Sequence, residues 1–358
     1  MHTQSKFRLL VVRLGAMGDI LHALPAVTAL RQAHPGWVID WVVEPRWSAL
    51  LAADAAANSE TGTSPNRSRP VVDRLHLAPT RDWRRSWLSL KTLDEIKTLR
   101  ETLRAYEYDT VIDLQGAVRS AVIGRMAGCP RLIGEDEPRE GAARWLFTER
   151  VKTHGAHVIE QDLELASAVA GDDLQVTAPC LPVNLAAEAW VDGILRDDSR
   201  PAVLINPGAG WGAKRWPAER YAAVAQGLID RGLRVLVNAG PGEEPLAQAI
   251  VQAAGAAIPL KCTLEQLIAL TRRVVLAIAG DTGPLHLACA LGRPVVGIYG
   301  PTDPSRNGPF GTRFRVLRSS ESRRDHTRHA APEAGLMTIT PEDVLRAADD
   351  LLDEENSR

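Results

Sequence analysis

The sequence is poor in the features that mark specialised proteins, and each shortage removes a class. Its 358 residues include four cysteines, Cys129, Cys180, Cys262 and Cys289. They lie far apart and never in C-x-x-C spacing, which argues against a disulfide scaffold and predicts free thiols in a reducing compartment. An excess of one charge is also missing. The formal net charge is −2, so no global field recruits nucleic acid. No run approaches the roughly 18 apolar residues of a membrane span, and the apolar stretch 9–12 is too short for a signal peptide. A cytoplasmic protein is expected, with contact to a membrane face left open. Catalytic signatures are equally scarce. Asp-x-Asp, H-E-x-x-H and the G-x-S-x-G elbow are absent, and neither His154 with His157 nor His326 with His329 has a third ligand nearby in the sequence. Metal-free transfer chemistry survives, with no metal and no cofactor expected.

What is present is an α/β pattern. With 45% hydrophobic residues the chain can bury a sizeable core, and its length favours two domains. Apolar strand-like runs alternate with helical patterns: "RLLVVRL" at 8–14, "VIDWVVE" at 38–44 and "YDTVIDLQG" at 108–116. "AVLINPG" from 202, "LRVLVNAG" from 233 and "VVLAIAGDTG" from 274 repeat the plan. The fold class is therefore α/β, as two Rossmann-like halves with parallel sheets. A boundary is expected within 172–201, giving domains at 1–178 and 179–335. Residues 336–358 read as a final helix, with Thr340 as N-cap, Pro341 at N1, Asp343 closing a capping box, and Val344, Leu345, Ala348, Leu351 and Leu352 on one face. It is expected to pack back toward the N-terminal domain. Residues 54–70 and 318–335 read as exposed loops.

The chemistry begins at "RLGAMGDI", residues 13–20. A strand runs into a glycine loop and a helix, yet neither G-x-G-x-x-G nor G-x-x-x-x-G-K-[ST] follows. Gly15, Ala16, Met17 and Gly18 lead instead to an acid. Asp19 either caps a helix over 20–33 or, since phosphate would be repelled there, takes a proton from an uncharged hydroxyl. In the second half Asp281, Thr282 and Gly283 form a tight turn before a helix opened by Pro284, whose free N–H groups suit a diphosphate. The other reading is that Asp281 and Thr282 cap that helix while His286 packs in it. "NPGAGWGAKRWP" at 206–217 offers Gly208, Ala209 and Gly210 for close backbone approach to a ligand. Its Lys214 is a mobile cation suited to phosphate oxygens, or else simply solvated. Glu243, in "NAGPGEE" at 238–244, can accept hydrogen bonds from a ribose or serve only as a helix N-terminal acid. "RDWRRSWLSLK" at 81–91 interleaves Arg81, Arg84, Arg85 and Lys91 with Trp83 and Trp87. That pattern binds anionic sugars or single-stranded nucleic acid by charge and stacking, or forms a solvated amphipathic helix. The balanced total charge favours the small anion, and no nucleic-acid partner is expected.

Together "LGAMGDILHALPAV", "IDWVVE", "YDTVIDLQG", "AKRWP" and "GDTGPLHLACALGRPVVGIYGPTDP" resemble the bacterial lipopolysaccharide heptosyltransferases of glycosyltransferase family 9. The motifs stand in that family's order over nearly the whole chain. The resemblance implies the GT-B architecture, two Rossmann-like domains facing a central cleft, and inverting, metal-independent heptose transfer in inner-core synthesis. It implies a donor such as ADP-L-glycero-D-manno-heptose in the C-terminal domain. It also implies a Kdo–lipid A type acceptor in the N-terminal domain, and work at the cytoplasmic face of the inner membrane. Asp19 would be the general base. Lys214 and the Asp281–Thr282–Gly283 turn would hold the diphosphate and stabilise its departure, with His286 near it, and Glu243 would meet the ribose. Gly208, Ala209 and Gly210 complete the donor set. Gly15, Ala16, Met17, Gly18, Arg81, Arg84, Arg85, Gln115 and Arg125 form the acceptor set. The N-terminal motifs and the Trp/Arg segment look most like the heptosyltransferase I type, which adds the first heptose to Kdo. The "PGAGWGAKRWP" loop looks more like heptosyltransferase II, and Ala16 stands where the first type usually carries a serine. The alternatives are a related transferase using another nucleotide sugar or a later core acceptor, and a nucleotide-dependent oxidoreductase.

Overall fold

The computed structural model describes residues 6–53, 66–322 and 331–356; most of the expected loop 54–70, part of the loop 318–335, and with it His326 and His329, lie outside the described residues. The chain divides into two compact units, Met1–Val183 and Asn184–Arg358. In the first, β1 (Arg8–Val12), β2 (Val38–Val43), β3 (Arg74–Leu77), β4 (Thr110–Asp113), β5 (Leu132–Glu135) and β6 (Glu149–Val151) form a parallel sheet in the order β3-β2-β1-β4-β5-β6. Helix α1 (Met17–Ala33) follows β1, α2 (Thr80–Arg85) and α3 (Leu90–Ala105) connect β3 to β4, α4 (Val118–Met126) follows β4, and α5 (Val158–Ala170) comes after β6.

The second unit opens with α6 (Leu185–Leu195). Its strands are β7 (Ala202–Asn206), β8 (Arg234–Asn238), β9 (Ile258–Leu260), β10 (Leu276–Gly280), β11 (Val295–Tyr299) and β12 (Phe314–Arg318), ordered β12-β11-β10-β7-β8-β9. Helices α7 (Ala218–Asp230) and α8 (Glu244–Ala254) follow β7 and β8, α9 (Leu264–Thr271) precedes β10, α10 (Gly283–Ala290) follows it, α11 (Pro304–Asn307) follows β11, and α12 (Pro341–Asn356) is last. Counted within each unit, both sheets run 3-2-1-4-5-6. This is the doubly wound order, whose ligand crevice lies at the carboxyl ends of the first and fourth strands. Those pairs are β1 with β4 and β7 with β10.

The central strands are continuous apolar runs because helices cover both faces; every residue of β4, β7, β8, β10 and β11 is buried. The outer strands follow weaker rules. "RLHL", "LIGE" and "ERV" are short and charged. "IPL" holds a proline that only an edge strand tolerates. Periodicity in the sequence passes over all of these.

The last helix buries Val344, Ala347, Ala348 and Leu351 in the second unit's own core beside Trp216, Tyr221 and Leu228. Side chains such as Val344 and Leu351 gain ~1.5–3 kcal/mol each by such burial. The approach to α12 is fastened to α7: Trp216 Nε1–H donates to the Ile339 carbonyl at 3.2 Å, and Arg220 donates to the Met337 and Ile339 carbonyls at 2.8 and 2.6 Å. The capping box forms as read. Asp343 N–H donates to Thr340 Oγ1 at 3.2 Å, and Thr340 N–H donates to the Asp343 carboxylate at 3.1 Å.

Candidate active site

In the first unit the glycine loop lies where β1 gives way to α1, at the switch point. Gly15 has φ of +147°, and a Cβ there would come within 2.7 Å of Trp47 Nε1, so only glycine fits. The loop is braced from β4: Leu14 N–H donates to Gln115 Oε1, and Gln115 N–H donates to Asp113 Oδ1, both at 2.8 Å. Gln115, expected among the acceptor residues, is thus buried with its carbonyl oxygen committed to the loop. Burial pushes the Asp113 carboxyl up to about 6, against the bonds it receives from Ser120, Gly116 and Gln115. Asp19 sits in the first turn of α1, which starts at Met17 rather than at residue 20. One of its oxygens accepts the Ala16 N–H at 2.9 Å, and the other lies 3.3 Å from Arg13 Nη2. The capping role is therefore realised. Yet the side chain is 33% exposed, so capping does not exhaust its capacity to meet a ligand.

Glu44, one residue past β2, ties this loop to the next element. Its N–H donates to the Leu14 carbonyl at 3.1 Å, while its carboxylate accepts from the Thr80 hydroxyl and from Arg81 N–H at 3.1 Å. The start of α2 is thereby seated on an anion. Burial and the charge of Arg81 both lower the pKa of Arg46, whose guanidinium lies 4.5 Å from the Trp47 ring centre. Arg84 and Arg85 are exposed. The expected pair of stacking indoles is corrected: Trp87 is exposed, but Trp83 packs with Leu99 and Leu103 and donates Nε1–H to Glu95 at 2.8 Å. Arg125 lies in the last turn of α4, about 10 Å along the helix from its Val118 end.

In the second unit Lys214 closes a short 3-10 turn, Gly212–Lys214, after β7. Its ammonium pairs with the Asp281 carboxylate and lies 4.3 Å from the Trp211 ring centre, a cation–π distance. The other Asp281 oxygen is 3.5 Å from His286 Nε2. Burial pushes Asp281 toward its neutral form, but the hydrogen bond to His286 and the charge of Lys214 prevail and hold the carboxyl well below the usual range. Helix α10 begins with no side-chain cap, because Thr282 turns its hydroxyl to the Gly280 carbonyl at 3.3 Å. A Cβ at Gly208 would overlap the Glu243 carboxylate, which accepts the Gly240 N–H at 3.0 Å. Glu243 therefore lies over two glycine loops, with Ala209 buried and Gly210 exposed beside it. Lys214, Asp281, Thr282, Gly283 and His286 are brought into one cluster at the ends of β7 and β10.

Sequence reasoning missed Arg13, Glu44, Asp113, Asn206 and Asn238. The last two cross-brace their strands: Asn238 Nδ2–H donates to Asn206 Oδ1 at 3.0 Å. A signal existed in the polar residue that closes each apolar run, "VVR", "VVE", "VID", "LIN" and "LVN", because that position is the carboxyl edge of a parallel sheet. Of the histidines, His157 caps α5 by accepting the Ile159 N–H at 3.2 Å, and His154 lies 3.5 Å from Glu164. Among the described residues, no group of three or more His, Cys, Asp and Glu is arranged to hold a metal ion.

Comparison with known proteins follows this geometry. The solved Escherichia coli heptosyltransferase WaaC with ADP-2-deoxy-2-fluoro heptose matches with a TM-score of 0.76 at 28% identity, over 96% of this chain and 99% of that one. The protein is a glycosyltransferase of the GT-B architecture. The profile of glycosyltransferase family 9 (heptosyltransferase) matches residues 96–336. Lipopolysaccharide heptosyltransferase 1 of Escherichia coli K12 is 32% identical over 345 residues, 94% of this chain and 98% of that protein. Lipooligosaccharide heptosyltransferase 2 of Haemophilus influenzae is 28% identical over 284 residues, 72% of this chain and 78% of that protein. The chain belongs to glycosyltransferase family 9, which sets aside the oxidoreductase alternative.

Proposed function

We propose that the protein transfers heptose from an ADP-heptose donor to a Kdo–lipid A type acceptor of the lipopolysaccharide inner core, inverting the anomeric carbon without a metal. The observation that carries this reading is the Lys214–Asp281–His286 cluster beside the uncapped start of α10, in a chain of this family. In this reading the diphosphate meets the N–H groups and positive end of α10 at the Asp281–Thr282–Gly283 turn. Lys214 shares its charge between Asp281 and the departing diphosphate. Asp281 is a positioning residue that aims Lys214 and His286. Glu243 accepts from ribose hydroxyls, while Gly208, Ala209 and Gly210 let the backbone close on the nucleotide. Asp19 takes the proton of the acceptor hydroxyl as its oxygen bonds to the anomeric carbon on the face opposite ADP. The electron pair of the broken bond leaves with ADP. Gly15, Ala16, Met17 and Gly18 shape the backbone around that hydroxyl, and Arg81, Arg84 and Arg85 meet anionic groups of the acceptor.

A screen of donors and acceptors read by mass spectrometry tests the reading. The expected result is gain of one heptose by a Kdo–lipid A type acceptor with release of ADP. Transfer from UDP- or GDP-sugars in place of ADP-heptose overturns the donor assignment. A second reading, transfer to a later core acceptor, is favoured by the "PGAGWGAKRWP" loop and by Ala16; transfer only to acceptors already bearing heptose would select it.

A further inference from the structure

Two arginines of the first unit are equally buried, each 6% exposed, and are used in different ways. Arg31, within α1, donates Nε–H to the Val71 carbonyl at 3.0 Å and Nη1–H to the Trp37 carbonyl at 2.7 Å, and pairs with Asp73. It braces chain segments. Arg13 is not spent in that way. Among the described residues its Nε has no hydrogen-bond partner, while Nη2 lies 3.3 Å from the Asp19 carboxylate. Burying a guanidinium is costly unless opposite charge compensates it, so a donor left unsatisfied argues that this arginine is kept for its charge.

The strands on both sides fix its place. The Arg13 N–H donates to the Val42 carbonyl at 3.4 Å, and the Arg13 carbonyl accepts the buried Trp41 indole N–H at 2.9 Å. Val12 pairs in register with Asp113, whose carboxyl burial raises and the charge of Arg13 lowers. Two carboxylates therefore share this cation. Asp113 is held inside the sheet by the Gln115 and Gly116 N–H groups at 2.8 and 2.9 Å, whereas Asp19 is partly exposed.

We infer that Arg13 is a positioning residue for Asp19, whose carboxylate it holds in one orientation toward the acceptor hydroxyl. A carboxylate held by a single hydrogen bond can turn about its Cβ–Cγ bond. Here the Ala16 N–H holds one oxygen at 2.9 Å and Arg13 meets the other from the end of β1, so the plane is pinned while each oxygen keeps a lone pair. Charge is accounted for as well. Asp113 is ionised above about pH 6, so the three groups together carry one net negative charge, which the proton taken from the hydroxyl cancels. Arg13 then keeps a counter-charge in Asp113 after Asp19 has become neutral. The inference rests on the reading of Asp19 as the base and adds the group that aims it.

A double-mutant cycle, with product formation from ADP-heptose and the Kdo–lipid A type acceptor read by mass spectrometry, tests it. Arg13→Gln should lower kcat roughly 10–100-fold, the cost of a misaimed group, with ADP-sugar affinity by calorimetry and acceptor KM little changed. Arg13→Lys, which restores the charge, should regain part of that loss. In an Asp19→Asn background Arg13→Gln should cost nothing further, because a group that acts only through Asp19 has nothing left to aim. Arg13→Met, of similar length, carries the same expectations where the glutamine variant does not fold. Full kcat in Arg13→Gln overturns the inference, as does a lysine variant no faster than the glutamine one, or a double variant slower than Asp19→Asn alone. Nearly full kcat in Asp19→Asn defeats the reading of Asp19 as the base, and this inference with it; an inactive Asp19→Asn beside a fully active Arg13→Gln defeats only the role of Arg13.

Discussion

The two units share one strand order and differ in what each sets at its switch point. In the first, α1 starts at Met17, close behind the end of β1 at Val12, and the N–H of Ala16 at its head is already taken by the carboxylate of Asp19. In the second, the helix that opens on the switch point is α10, which has no side-chain cap and has Lys214 and His286 gathered around Asp281. An anion already in the first turn disfavours a second one, whereas an uncapped start with a lysine beside it attracts one. In the proposed reading the first corner takes a neutral hydroxyl and the second a diphosphate, so that one topology would serve opposite electrostatic tasks through the groups at the helix start.

Asp19→Asn would break the comparison most severely. Asparagine keeps an oxygen for the Ala16 N–H, so the thermal midpoint should hold, but it accepts no proton at neutral pH, so kcat should fall roughly 10²–10⁴-fold with ADP-sugar binding intact. A variant with nearly full kcat would reduce Asp19 to a helix cap. Lys214→Ala acts at the other corner. Loss of a charge-assisted contact to phosphate should weaken donor binding about 10–100-fold by calorimetry, leaving acceptor KM unchanged. Unaltered donor affinity would move the diphosphate elsewhere.

Asp113 sharpens the contrast through pH. Its carboxyl titrates at about 6 when folded, against ~4 in an unfolded chain. Between those values the folded protein holds the extra proton, so stability falls as pH rises through that window and levels off above it. Relative to Asp113→Asn, the wild type should lose about 1–3 kcal/mol in urea unfolding between pH 4 and pH 7; parallel profiles would place the titration elsewhere. The smallest expected effect is none: EDTA should leave the transfer rate unchanged, since the reading assigns the leaving-group charge to Lys214 and the start of α10. Loss of rate in chelator, restored by Mg²⁺ or Mn²⁺, would sink that assignment.

How much of this is legible in the chain depends on the residue. The runs "RLLVV" and "AVLIN" are strands on any reading, because a parallel strand covered on both faces is apolar throughout. The turn "GDTGP" likewise shows its helix start through Pro284. Trp83 and Trp87 look equivalent in "RDWRRSW", yet one is core and the other is surface. Gln115 and Arg125 stand together in the acceptor set that the resemblance implies; one braces the first glycine loop from beneath, and the other sits at the far end of its helix. The pairing of Lys214 with Asp281 spans 67 residues and leaves no trace in spacing.

The sequence by itself determined the alternation of strands and helices, the two glycine-loop corners and the cap of the last helix. Each of these is a local matter of apolar period, backbone freedom or a side chain reaching its own turn. Only the tertiary structure decided which face of α2 and α3 is buried, which core receives α12, and which cation pairs with Asp281. Those outcomes depend on what another part of the chain brings alongside, and a residue's chemistry does not carry the identity of its distant neighbour.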